Sequence, residues 1–258
     1  RLAWGILTGV LLMTVPTAAQ KKATSSPKKI RGVPHLYKTV GDVKLLLYIF
    51  QPDRTRSKEP RPAAVFFFGG SWNGGSVTQF QEHASYLASR GMVGVLADYR
   101  VKSRHRTTPF ECVKDGKSAV RFLRQHAAQL GIDPNRIAAG GGSAGGHVAA
   151  ATATVPGLEE DDEDHSISAR PNALLLFNPV FDNGPDGYGY DRVKARYREI
   201  SPLHNLRKGV PPTVVFLGTR DRLVPVKTAR AYKQKMAKLG SRCELFLYEG
   251  QPHGFFNR

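Results

Sequence analysis

The sequence predicts an α/β protein: a mostly parallel sheet covered by helices on both faces. Short apolar runs recur along the chain, each bounded by Gly, Pro or Asp, and amphipathic helical stretches fall between them. The runs are continuously apolar, as in strands buried on both faces. Val43–Phe50, Ala63–Phe68, Met92–Ala97, Arg136–Gly141, Ala173–Phe177, Thr213–Leu217 and Cys243–Tyr248 read as strands. The clearest helix is Phe110–Leu130. Thr108 can cap it, Pro109 suits its first turn, Glu111 completes a capping box and Gly131 stops it. Thr228–Leu239 is a second amphipathic helix, ended by Gly240.

The composition is that of a globular protein: 258 residues, 41% hydrophobic and 23% charged. Such values exclude general disorder, collagen and a multi-span membrane protein. Two cysteines exclude a disulfide-built scaffold and a four-cysteine zinc site. The net charge of +17 attracts polyanions, which leaves weak association with an anionic polysaccharide or envelope open. The cations are spread along the chain without a nucleic-acid motif, so no specific nucleic-acid partner is expected. Oligomeric state cannot be read from the sequence.

Residues 1–19 open with Arg1, continue with an uncharged apolar stretch and end in Pro16-Thr17-Ala18-Ala19. This is the pattern of a signal peptide cut after Ala19, which predicts a secreted or periplasmic protein. A membrane anchor is the competing reading. Residues 20–34 read as a flexible basic leader, and residues 35–258 as one domain.

Gly141-x-Ser143-x-Gly145 follows a predicted strand and precedes the Ala/Val-rich helix Val148–Val155. A nucleophile on a sharp strand-to-helix turn needs that setting, and the helix N-terminus favours developing negative charge there. A serine hydroxyl is a weak nucleophile that needs a base, and the base needs an orienting acid. Asp221 and His253 fall in that chain order, each just past a predicted strand, where open α/β sheets assemble their sites. Asp182, after Phe177-Asn178-Pro179, is the weaker acid candidate. His147 is expected to pack or hydrogen-bond beneath the turn. An acyl-transfer site also needs oxyanion donors. The Ala144 N–H is one, and Phe68-Gly69-Gly70-Ser71-Trp72, after an early strand, has the form to supply the second.

These stretches, with Asp98-Tyr99-Arg100, Asp133-Pro134-Asn135-Arg136-Ile137, Gly218-Thr219-Arg220-Asp221 and Pro252-His253-Gly254-Phe255, resemble one family. It is the hormone-sensitive-lipase-like and bacterial feruloyl- or acetyl-xylan-esterase-like group of the α/β-hydrolase superfamily, and the resemblance covers about residues 35–257. It implies an eight-stranded, mainly parallel sheet and a serine carboxylesterase without cofactor or metal. By position, Ser143 is the nucleophile, His253 the base and Asp221 the acid, with Gly69, Gly70 and Ala144 forming the oxyanion hole. The chain departs from the family where His-Gly-Gly-Gly is replaced by Phe68-Gly69-Gly70-Ser71, which removes the histidine's side-chain support. The N-terminal cap of some lipolytic relatives is missing or very short.

Three secondary readings complete the picture. Val180–Asn205, with Tyr188 and Tyr190, lines or partly covers the site, and Ser71, Trp72, Tyr188 and Tyr190 are candidate substrate contacts. The acidic run Glu159–Asp164 reads as a solvated loop, because its spacing matches no EF-hand. Cys112 and Cys243 are expected at opposite edges of the sheet as free thiols. By the resemblance, the expected activity is hydrolysis of short-chain acyl esters such as acetylated or feruloylated carbohydrate. A serine peptidase of the same fold, or a catalytically silent polyanion-binding envelope protein, are the alternatives.

Overall fold

The computed structural model describes residues 29–53 and 59–257. The expected signal peptide and residues 20–28 of the leader lie outside them. In chain order the elements are β1 (Val33–Val40), β2 (Val43–Phe50), β3 (Arg61–Phe67), α1 (Gln81–Ser89), β4 (Val93–Ala97), α2 (Lys102–His105), α3 (Pro109–Gln125), α4 (Ala127–Leu130), β5 (Ile132–Gly142), α5 (Ala144–Thr154), β6 (Ala173–Phe177), α6 (Tyr190–Val193), β7 (Thr213–Gly218), α7 (Val226–Lys238) and β8 (Cys243–Tyr248). The eight strands form one sheet in the order β1-β2-β4-β3-β5-β6-β7-β8. β2 pairs antiparallel with β1 and β4, and every later pairing is parallel.

That order fixes where a site can form. β4 lies on one side of β3 and β5 on the other, so the strand order reverses at β3. The loops leaving the C-terminal ends of β3 and β5 therefore diverge and open a crevice. Alternation along β3 divides the core. Ala63, Val65 and Phe67 pack into the larger cluster with α3, α5 and α7, while Ala64 and Phe66 pack into a smaller one with α1. Helices thus cover both faces. At the β8 edge the covering thins, and Phe246 is 51% exposed. Among the described residues no helix is long and apolar enough to cross a membrane.

Several boundaries differ from expectation for local reasons. β1 starts at Val33, and Arg31 before it bonds Gln81 and Glu82 of α1. Pro34 fits β1 because an edge strand tolerates proline where one row of its N–H groups pairs with nothing. The helix expected over Phe110–Leu130 is broken at His126, whose backbone (φ −99°, ψ 17°) closes α3 while its ring stacks on Phe122 at 4.1 Å. The capping box of Thr108 and Glu111 and the left-handed Gly131 stop are both present. α5 begins at Ala144, four residues before the expected Val148, because Gly145 and Gly146 lower helix propensity without preventing the turn.

The acidic run 159–164 is the larger correction. Asp115 of α3 is fully buried and receives Lys38 Nζ and Arg100 Nη2, each at 2.7 Å. Glu160 meets both cations at 2.8 Å and Lys114 at 3.2 Å, while Glu159 and Glu163 pair with Arg121. Burying these cations unpaired would be costly, so half the run turns inward to neutralise them. Asp161, Asp162 and Asp164 remain exposed. Cys112 and Cys243 are both buried and free.

Candidate active site

The turn between β5 and α5 is strained where chemistry is expected. Ser143 has φ 54° and ψ −118°, a region that costs a non-glycine residue free energy and persists only where surrounding structure holds it. Its N–H donates to the Phe177 carbonyl, and its carbonyl accepts from His147 and Val180. The glycines two positions either side are needed because the turn lies against backbone. A Cβ on Gly141 would strike the Phe67 carbonyl and the Gly145 backbone, and one on Gly145 would strike the Phe67 and Phe68 carbonyls. The turn is pressed against the end of β3.

The three side chains expected together are together. His253 Nε2 lies 2.8 Å from Ser143 Oγ, and His253 Nδ1 lies 2.7 Å from Asp221 Oδ2. Asp221 follows β7 and His253 follows β8, so neighbouring strand ends deliver the acid and the base. The Asp221 side chain is fully buried while the imidazole is 22% exposed. Asp221 Oδ1 accepts the N–H groups of Leu223 and Val224 at 2.8 and 2.9 Å, and Oδ2 also accepts from Asn178 Nδ2. Burial alone would push this carboxyl up, yet the hydrogen bonds from His253, Asn178 and Val224 hold it below its usual range. Such a line can draw a proton from the serine hydroxyl onto the imidazole, with the carboxylate fixing the ring.

Asn178 was not singled out in the sequence. It is buried, ends β6 with φ 43°, and its side chain is aimed at Asp221. An Asn tolerates the left-handed region better than most residues, which is the signal the sequence carried. Asp182 plays no such part: its Oδ1 accepts from the Gly184 N–H and lies 3.7 Å from His204.

The expected oxyanion donors divide. Gly69 packs against the serine, since a Cβ there would meet Ser143 Cβ at 3.3 Å, but its N–H already donates to Gln79 Oε1 at 2.6 Å. The Gly70 and Ala144 amides have no such partner among the described residues. Phe68, standing in the family's histidine position, stacks on Tyr99 at 4.2 Å, and the Tyr99 hydroxyl donates to the Phe68 carbonyl at 2.5 Å. An aromatic stack thus supports the loop in place of the histidine.

The substrate-contact candidates also divide. Ser71 Oγ and the Tyr188 hydroxyl are hydrogen-bonded at 2.5 Å. Trp72, however, is turned inward and only 1% exposed; its Nε1–H donates to His147 Nδ1 at 3.2 Å. His147 Nε2 then faces the Ile200 carbonyl at 3.1 Å, and burial lowers the ring's pKa to about 4, so it is a neutral prop beneath the turn. Gly189, in the left-handed region at φ 79° and packed on the Trp72 ring, turns the chain, and Tyr190 lies edge-on to Tyr197. Among the described residues no cluster of His, Cys, Asp and Glu could hold a metal ion.

Comparison with known proteins identifies the fold and the family. The BD-FAE family model matches residues 47–182, and an alpha/beta hydrolase fold model matches residues 186–257. The solved structure of Thermogutta terrifontis esterase 2 phosphoramylated by tabun is 48% identical, with a TM-score of 0.85 over 90% of this chain and 88% of that one. The propionate-bound form of that esterase is 47% identical, with a TM-score of 0.82 over 87% and 85% of the two chains. Acetylxylan esterase of Xylanibacter ruminicola is 28% identical over 83% of this chain and 44% of its own length. The chain spans about half the length of the curated relatives it matches. On the strength of the BD-FAE match, which takes in more than half its residues, the chain belongs to the BD-FAE family, with the α/β-hydrolase fold.

Proposed function

We propose that the protein is a serine carboxylic ester hydrolase acting on short-chain acyl esters of small alcohols or carbohydrate. The observation that carries the reading is the unbroken line from Asp221 through His253 to Ser143, with contacts of 2.7 and 2.8 Å, ending on a strained turn. Ser143 Oγ attacks the ester carbonyl carbon as its proton passes to His253 Nε2. The Ala144 and Gly70 N–H groups receive the oxyanion. When the carbonyl–alkoxy bond breaks, His253 returns the proton to the leaving alcohol, and Ser143 keeps the acyl group. Water then repeats the sequence and releases the acid. Asp221 stays ionised throughout and stabilises the imidazolium.

The propionate held by the Thermogutta esterase supports a short acyl chain, and the acetylxylan esterase supports carbohydrate as the alcohol. The residue 1–19 pattern supports export, and the net charge of +17 supports weak association with an anionic polysaccharide. The test is a panel of p-nitrophenyl esters from acetate to laurate, acetylated xylan and methyl ferulate, with wild type and Ser143→Ala. The expected outcome is a short-chain optimum and a loss of roughly 10⁴-fold or more in kcat for the variant. Equal activity in the variant would defeat the proposal.

A further inference from the structure

Beside the oxyanion loop lies a cavity of about 400 Å³ whose wall is cationic. Lys102, Arg106 and Arg192 line it, against the single carboxylate of Asp191, and Ser71 and Trp72 join it to the oxyanion loop. Ser71 is two residues, at most about 7 Å of chain, from Gly69, which packs on Ser143. A basic surface alone would explain exposed lysines and arginines, but four observations set these apart.

First, among the described residues none of the three cations is in an ion pair, so each is open to an outside anion, whereas Lys38, Arg100, Lys114, Lys117 and Arg121 are all paired. Second, the wall is fixed to the oxyanion loop: Lys102 N–H donates to the Trp72 carbonyl at 3.0 Å, and Ser103 N–H to the Asn73 carbonyl at 2.8 Å. Third, Arg192 is held over the face of the Trp72 ring, 5.7 Å from its centre. Fourth, Thr107, also in the wall, has a buried hydroxyl with no hydrogen-bond partner among the described residues, a donor left for a ligand.

Resting on the ester-hydrolase reading above, we infer that this cavity holds a carboxylate carried by the ester substrate, so that the protein prefers acidic esters to neutral ones. The three cations supply the attraction and the Thr107 hydroxyl a hydrogen bond. The carboxylate could stand on the acyl side, as in a dicarboxylic acid half-ester, or on the alcohol side, as in an acetylated uronic acid. Both present the same chemistry to the cavity.

The test measures kcat/KM for two matched pairs: p-nitrophenyl hydrogen succinate against p-nitrophenyl butyrate, and acetylated glucuronic acid against acetylated glucose. In the wild type one pair is expected to favour the acid by about tenfold at low salt, and the pair that responds identifies the side. That ratio is expected to fall to about one when ionic strength rises from about 0.01 M to about 1 M, where screening acts over about 3 Å. It is also expected to fall to about one in a Lys102→Gln, Arg106→Gln, Arg192→Gln triple variant, but to change by less than about twofold in Lys238→Gln at the end of α7. The salt series on the wild type keeps the test decisive should the triple variant fail to fold. Ratios at or below one for both pairs, with Ser143-dependent hydrolysis of the butyrate ester intact, would overturn the inference and leave the ester-hydrolase reading standing. No Ser143-dependent hydrolysis of any ester would overturn both.

Discussion

Asp115 and Asp221 are both carboxylates with fully buried side chains, yet their partners differ in kind. Asp115 is held by two fixed cations, Lys38 and Arg100, and through them by Glu160. Asp221 is held by a titratable imidazole, an Asn side chain and two backbone N–H groups. Fixed cations leave no proton to move; they join β1, the end of β4 and α3 into one block. Neutral donors leave the imidazole as the single mobile charge, able to gain and lose a proton while its orientation stays set. Two buried aspartates thus divide the work, one holding the sheet to its helix and the other holding a base.

The comparison breaks most visibly at Asp221. In Asp221→Asn the carboxylate is lost but the shape is kept, and kcat/KM for a p-nitrophenyl ester is expected to fall by about 10⁴-fold. Its midpoint of thermal unfolding should move far less than that of the matching change at Asp115. Asp115→Asn leaves Lys38 and Arg100 buried with Glu160 as their one remaining carboxylate, which costs up to about 3–5 kcal/mol of stability. Denaturant melts should show that loss, while kcat per folded molecule stays near wild type. If the two substitutions gave the same balance of lost activity and lost stability, the division between the sites would be wrong.

A smaller effect sharpens the same contrast through pH. Burial would raise the Glu160 carboxyl, but the hydrogen bonds and charges of Lys38 and Lys114 outweigh it and bring it down to about 2. A carboxyl lowered by folding contributes stability that is present above its ordinary value of about 4.3 and is lost as pH falls towards 2. Wild type is therefore expected to lose more of its melting temperature than Glu160→Gln between about pH 5 and pH 2.5. Parallel curves would show that Glu160 adds nothing to the block.

The sequence revealed most of what is local. Strands announced themselves as apolar runs, and Ser143, Asp221 and His253 were legible because each stands just past one. What stayed hidden depends on contacts between distant segments. The acidic run looked like solvated loop because its cations, Lys38, Arg100 and Arg121, come from elsewhere in the chain. The Gly69 amide looked free because nothing in the glycine loop reveals Gln79 folding back onto it. Trp72 looked like a pocket residue, and only the folded chain brings His147 within reach of its N–H. Asn178 carries no motif at all; its part follows from the left-handed end of β6 that points it at Asp221.

The central claim is that Ser143 is the nucleophile of an acyl-transfer line. Titration with diethyl p-nitrophenyl phosphate tests it most directly, because p-nitrophenol is released once per phosphorylated serine and mass spectrometry locates the adduct. The account predicts one equivalent of p-nitrophenol, a diethylphosphoryl group on the peptide bearing Ser143, and esterase activity falling in step with the release. Phosphorylation at another residue, or full esterase activity after Ser143 has been modified, would contradict it.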